Sequence, residues 1–236
     1  MSNHDKINVN VLVTNVLLMI SIAFGIALTF ITSGKNQGKS LSGLDLSLSK
    51  PAIKVINVYN IIQYQQTVPQ VLAGLKSAVD QKNVVGVILR INSGGGTVGA
   101  SQEIYRKILD FKKKTRKPVV AVFGDVAASG AYYIACASDK IFARPGTLTG
   151  SIGVIMAGYT FQELFQRYGI RQEIVKSGKY KDMGSAIGRH RSPDEYRLLK
   201  SMVDSTYRQF FEVVLSGRKG KITDTKLKLY ADGRIM

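Results

Sequence analysis

From residue 52 onward, short β-branched runs alternate with stretches whose apolar residues recur at helical spacing, and that alternation restricts the fold more than any other feature of the chain. Residues 84–91 (VVGVILRI) suit a strand buried in a parallel sheet. Ile104, Ile108 and Phe111 mark one face of a helix over 100–114. Around this pair, residues 53–58 read as a strand and 68–79 as a helix. Pro118 opens the strand VVAVFG, and a short helix follows over 129–137. Strands are expected at 140–143, 151–156 and 172–175, with a helix at 161–168 between the last two. The final long helix has the plainest start: Ser192 as cap, Pro193 in the first position and Glu195 completing a capping box, with Gly217 as its left-handed stop. Strands alternating with helices imply one α/β domain with a largely parallel sheet, covering 52–236, without internal repeat or second domain.

The chain is 236 residues long, and 45% of them are hydrophobic, which excludes wholesale disorder. A single cysteine, Cys136, excludes an intramolecular disulfide framework and any multi-cysteine metal site, and it reads as a small buried hydrophobe. The net charge of +17 points to an anionic partner, either nucleic acid or a lipid headgroup surface. No recognised nucleic-acid motif accompanies it. Between Lys6 and Lys35 there is no charged residue, and residues 11–31 are dominated by large apolar side chains. At ~1.5 Å per residue such a run crosses a ~30 Å hydrocarbon core as a helix. A membrane anchor over 11–32 is the reading it favours, after a short tail at 1–10 and before a Ser-, Gly- and Lys-rich linker at 33–51. A cleaved signal peptide and a buried core helix are the rivals; the run is long for the former, and no clear A-x-A site follows. Lys6 on one side and Lys35 and Lys39 on the other lean weakly toward a cytoplasmic domain.

Three glycine-bearing loops hold the candidate chemistry. The first, 92–99 (NSGGGTVG), meets G-x-G-x-x-G formally, and Asp125 ends the next strand near where a ribose-binding acid would stand. The same loop could instead aim bare backbone N–H groups at a developing oxyanion, or be a tight turn without chemistry. In the second, 124–131 (GDVAASGA), Ser129 stands between small residues at a helix start, either as a cap or as a nucleophile open to a peptide backbone. Of the two histidines, His4 precedes the apolar run and His190 lies in the charged stretch GRHRS, so a Ser-His-Asp triad is poorly supported. A nucleophilic Ser129 would more naturally use a lysine as its base. The third loop, 176–186 (KSGKYKDMGSA), offers Lys176, Lys179 and Lys181, which could equally be a solvated face.

Taken together, INSGGGTV, GDVAASGAYYIACASDKIFARPGTLTGSIGV and SGKYKDMGSA resemble the signal peptide peptidase A family of membrane-anchored serine proteases, over residues 53–234 and in the family's order and spacing. The resemblance implies the crotonase-like fold shared with the Clp protease proteolytic subunit. It implies Ser129 as nucleophile, Lys181 as general base, Ser151 as the serine that orients that lysine, and the N–H groups of Gly96 and Gly130 as the oxyanion hole. It further implies hydrolysis of hydrophobic peptides, such as remnant signal peptides, through an acyl-enzyme. No cofactor and no metal are expected. The protease domain is expected outside the cytoplasm, against the weak charge lean, and in a ring of identical subunits in which the serine of one faces the lysine of the next. An inactive membrane scaffold, an acyl-CoA enzyme of crotonase type and a dinucleotide-binding protein are the alternatives. This chain has Gly94 where the family commonly has proline, and it reaches Met236 just after ADGRI, where the family continues.

Overall fold

Strand β1 (Ala52–Ile62) alternates as far as Tyr59 and is interrupted at Asn60 (φ +62°): Ile56, Val58 and Ile62 are buried, while Ile53, Val55 and Ile61 face outward. The computed structural model describes residues 50–185, 187 and 189–236. The expected anchor at 11–32 and all but the end of the linker lie outside them. Among the described residues no helix is long and apolar enough to cross a membrane.

Helix α1 (Thr67–Asp80) presents Val68, Val71, Leu75 and Ala78 as one stripe. Strand β2 (Val84–Gly96) then pairs parallel to β1, with Ile56 opposite Leu89 and Val58 opposite Ile91. Helix α2 (Val98–Thr115) buries Ala100, Ile104, Ile108 and Phe111, and β3 (Val119–Ala128) pairs parallel to β2. The inward residues of the strands (Leu89, Ile91, Val119 and Ala121 among them) form one apolar cluster with the stripes of α1 and α2. The opposite face of β2 is less covered than its composition suggests, since Val85 and Arg90 are exposed.

Strand β3 serves two partners along its outer edge. Val120–Val122 pair parallel with β4 (Lys140–Phe142), and Val126–Ala128 pair parallel with β5 (Leu148–Gly150). Between these strands lies the short helix α3 (Gly130–Ala135). Helices α4 (Gln162–Arg167), α5 (Pro193–Gly217) and α6 (Asp224–Lys228) complete the chain. Phe210 and Val214 of α5 join Tyr133, Cys136, Ile152, Leu227 and Ala231 in a second, smaller apolar cluster. Tyr133 links the two parts, stacking edge-on against Tyr105 at 5.2 Å and Phe210 at 5.1 Å.

The α/β expectation with a parallel sheet holds, three local readings are corrected and one element is added. The strand expected at 151–156 lies upstream, as β5, because Gly150 (φ +81°) and Ser151 (φ +50°) turn the backbone away. Residues 172–175 form no strand, since among the described residues no strand pairs with them and Val175 is fully exposed. Gly217 is the last residue of α5 rather than a left-handed stop, and the C-cap Arg218 has φ −114°. Its missing side chain has another use, for a Cβ there would run into the carbonyl of Cys136. Helix α6 was not expected; Thr223 caps it, and Leu227 buries against the second cluster. The capping box of Ser192 and Glu195 is present as expected.

Candidate active site

The end of β3 delivers Ser129 at the mouth of a cleft in a conformation that side chains rarely adopt, φ +52° and ψ −123°. Such a backbone costs about 1–3 kcal/mol and persists only where its surroundings hold it. Two hydrogen bonds do so: Ser129 N–H donates to the carbonyl of Gly150 (2.9 Å), and the Ser129 carbonyl accepts from Tyr133 N–H (2.9 Å). The hydroxyl does not cap α3, and it has no hydrogen-bond partner among the described residues. Helix capping is therefore not what Ser129 does.

Glycines allow β2 to reach this turn. A Cβ on Gly95 (φ +106°) would stand 2.8 Å from Gly130 N, 2.9 Å from Ser129 Cβ and 3.0 Å from the Ala128 carbonyl oxygen. Gly95 N–H is fixed by the Ser93 hydroxyl (3.1 Å), and Ser93 itself donates to the carbonyl of Asn60. A Cβ on Gly130 would lie 3.2 Å from Gly96 N and would collide with the hydroxyl of Ser101. The backbones of Gly96 and Gly130 thus lie side by side next to Ser129. Gly130 opens α3, so its N–H has no intrahelical acceptor.

Gly96, Ser129, Gly130 and Ser151 all line one cleft of about 400 Å³. Val98, Tyr133 and Phe210 give it an apolar side, and Asp232 stands at its edge, its carboxyl lowered to about 2 by the hydrogen bonds of Arg234. Ser151 reaches the cleft through its positive φ, with its N–H bonded to the carbonyl of Arg234 (2.7 Å). Beside it, Thr149 and Met236 exchange two backbone bonds of 2.9 and 3.0 Å.

Lys181 is not among the residues that line this cleft. It is exposed, on a turn whose N–H bonds back to Gly178 (3.2 Å). The three loop lysines differ in how they are engaged. Lys176 pairs with Asp182 at 2.7 Å. Lys179 pairs with Asp194 at 3.1 Å and lies over the Tyr180 ring; the hydrogen bond to Asp194 holds its ammonium form and raises its pKa. Lys181 makes no ion pair among the described residues. The Asp182 carboxyl is lowered to about 2 by Lys176 and Arg189, and Glu195 to about 2 by Arg189 and the Ser192 N–H. The structure thus brings Ser129, Ser151, Gly96 and Gly130 together and leaves Lys181 apart from them within one chain.

The model of peptidase family S49 matches residues 111–236, a span that contains Ser129, Gly130, Ser151 and Lys181. The chain belongs to this family. It is 42% identical over 165 residues to "Putative protease slr0021" of Synechocystis, covering 70% of this chain and 57% of that protein. It is 39% identical over 180 residues to "Putative signal peptide peptidase SppA" of Enterococcus faecium (76% and 50%), and 32% identical over 211 residues to "Serine protease SPPA, chloroplastic" of Arabidopsis thaliana (87% and 29%). The chain therefore spans about half the length of these relatives, or less.

For an S49 peptidase, the remaining candidates fall into place simply. Gly94, Gly95 and Gly96 are the last residues of β2, with Gly95 and Gly96 opposite Ile61 and Ile62, rather than a free loop around a phosphate. Asp125 sits exposed within β3 and does not end it. His190 is exposed and is not among the cleft residues. Cys136 is buried, and burial pushes its thiol up to about 12, as a packing residue requires. Sequence reasoning missed Ser101, Tyr133, Phe210 and Asp232. Only the spacing of Ser101 on the buried face of α2 could have signalled any of them.

Proposed function

We propose that this chain is a membrane-anchored serine endopeptidase of crotonase-like fold that cleaves hydrophobic peptides, such as remnant signal peptides, with Ser129 as nucleophile and Lys181 as general base. The observation that carries the reading is Ser129 itself: a hydroxyl with no partner among the described residues, on a strained turn in a cleft with an apolar side, beside the amides of Gly96 and Gly130. Strain without a structural beneficiary, next to two glycine N–H groups, is what a nucleophile and its oxyanion hole require.

In the reaction, Lys181 Nζ takes the proton from Ser129 Oγ as the oxygen adds to the peptide carbonyl. The negative charge that develops on the carbonyl oxygen is met by the two glycine N–H groups, each such donor being worth about 10²–10³ in rate. Collapse expels the amine, which receives the proton from Lys181, and leaves the acyl group on Ser129. Water, deprotonated by the same lysine, then releases the acid and restores the hydroxyl. Lys181 is preferred to Lys179 because it is the loop lysine that no carboxylate engages among the described residues. Ser151, at the cleft, is the group that orients the amine.

The separation of Lys181 from the cleft fits an assembly in which one subunit's lysine loop meets its neighbour's serine, as head-to-tail contacts of a closed ring allow. The stretch leading to that loop carries large exposed apolar side chains, Ile155 at 90%, Tyr159 at 81% and Val175 at 104%, which a second copy would cover. The apolar run at 11–32 serves as the anchor, with the protease domain outside the cytoplasm. The test is complementation. Ser129→Ala should abolish peptide hydrolysis and labelling by a fluorophosphonate. Mixed and reassembled with inactive Lys181→Ala, it should recover part of the activity. Labelling that survives in Ser129→Ala refutes the nucleophile, and no recovery in verified mixed oligomers refutes the shared site.

A further inference from the structure

We propose that Arg189 is the positioning residue of the Lys181 loop: one guanidinium grips Asp182, next to the base in sequence, and Glu195 at the start of α5, fixing where the loop points and engaging the carboxylate of the adjacent residue. The inference rests on the Ser129–Lys181 reading above.

Arg189 Nη1 donates to Glu195 Oε2 (2.7 Å) and Nη2 to Glu195 Oε1 (2.5 Å). The same guanidinium donates from Nε to Asp182 Oδ2 (3.2 Å) and from Nη2 to Asp182 Oδ1 (3.1 Å). Only a planar fork with five N–H donors can hold two carboxylates in this way. Both acceptors are shielded, with side chains 7% exposed for Asp182 and 2% for Glu195. Glu195 also accepts from Ser192 N–H (2.7 Å) in the capping box of α5, a helix anchored in the second cluster by Phe210 and Val214. The residue next to Lys181 is thereby joined in one step to a long docked helix. A further tie runs from Arg191 Nε to the carbonyl of Met183 (3.2 Å).

The charges around the loop are arranged to the same end. The loop carries Lys176, Lys179, Asp182, Arg189, His190 and Arg191, and α5 contributes Asp194, Glu195 and Arg197. Asp182 is engaged by Lys176 and Arg189, Asp194 by Lys179 and Arg197, and Glu195 by Arg189. On the neighbouring segment, Arg171 and Glu173 flank Gln172, which accepts from the Ser185 hydroxyl (2.8 Å). A bare carboxylate beside an amine favours the ammonium form, which cannot act as a base; a carboxylate already paired to two cations does so far less.

The experiment measures peptide hydrolysis by the full chain against pH. Arg189→Gln should lower kcat by about 10²-fold through misplacement of the base, with KM changed by no more than about threefold. The acid limb of its kcat/KM profile should move to higher pH. Adding Asp182→Asn should bring that limb back while kcat stays low, and Arg189→Lys should not restore kcat. Glu195→Gln keeps a capping-box acceptor and should show the same changes at smaller size, which covers the case of an Arg189→Gln chain that does not fold. An unmoved acid limb, with kcat either near normal or falling only in step with the folded fraction, overturns the inference. Lys181→Ala is assayed alongside. If it is active, the base assignment falls and this inference with it; if it is silent while Arg189→Gln is normal, only this inference falls.

Discussion

Gly95→Ala is the sharpest probe of the packing that presents Ser129. The new Cβ would meet three atoms of the turn that carries Ser129 at 2.8–3.0 Å, two of them backbone, so no flexible side chain can yield to it. It would also force alanine to adopt φ +106°. The conformation costs about 1–3 kcal/mol, and overpacking adds about 1–3 kcal/mol. Together they remove roughly 2–6 kcal/mol from a total that for single domains is about 5–15 kcal/mol. For a domain of this size the midpoint of thermal unfolding should fall by roughly 5–20 °C. The part of the strain relieved by moving the turn displaces Ser129, and a shift of about 1 Å costs about 10²-fold in reactivity. Differential scanning fluorimetry reads the first effect and the rate of fluorophosphonate labelling the second. Gly94→Ala, one residue away, is the control for stability: its Cβ meets nothing within 4 Å and its φ is not positive, so its Tm should stay within about 1–2 °C of the parent. A Gly95→Ala chain with unchanged Tm and unchanged labelling would refute the close approach of β2 to the turn at Ser129.

Three further outcomes follow from the geometry. Lys181→Arg keeps the charge but cannot readily lose a proton, so hydrolysis should collapse as in Lys181→Ala, whereas Lys179→Ala should keep most activity; the reverse pattern in steady-state assays would move the base to Lys179. The hydrogen bonds of Lys176 and Arg189 hold Asp182, and that of Arg189 holds Glu195, down at about 2 in the folded chain against ~3.9 and ~4.3 when unfolded. Because those values are depressed, their stabilisation is complete above pH ~4.3 and is lost as pH falls through about 2. The gap in Tm between the parent and Glu195→Gln should therefore close over that window, and a gap independent of pH would contradict the pairing. Cys136 should resist a thiol reagent at pH 8 until the chain unfolds, and rapid modification of the folded protein would show that the second cluster does not seal it.

The sheet was legible because the inward residues of β1 to β3 and the stripes of α1 and α2 are patterned locally, and so was the start of α5, where Ser192, Pro193 and Glu195 act within one turn. Strand β5 was not, because its pairing is set by the backbone of β3 and by two positive-φ residues that neither composition nor period reveals. Gly217 looked like a stop by its type alone; its use is set by the distant carbonyl of Cys136. At the site, Ser129, Ser151, Gly96 and Gly130 could be named from motifs, yet the strain at Ser129 arises from contacts with Gly150 and Tyr133. Ser101, Tyr133 and Phe210 stayed hidden because their sequence neighbourhoods read as ordinary helix faces.

The strand that steadies Ser129 is itself steadied from far downstream: Gly150 receives the Ser129 N–H, and the stretch Thr149 to Ser151 is bonded by Arg234 and Met236. Joining segments so distant along the chain carries a loop-closure cost that local turns avoid, so this pairing belongs among the late events of folding. A nascent chain can collapse its sheet and first two helices while the residues that hold β5 are still unmade. Its hydroxyl then sits on an unsupported turn that can relax out of the strained conformation. The conformation of Ser129 would thus be completed by residues 234–236 rather than by the core of the sheet.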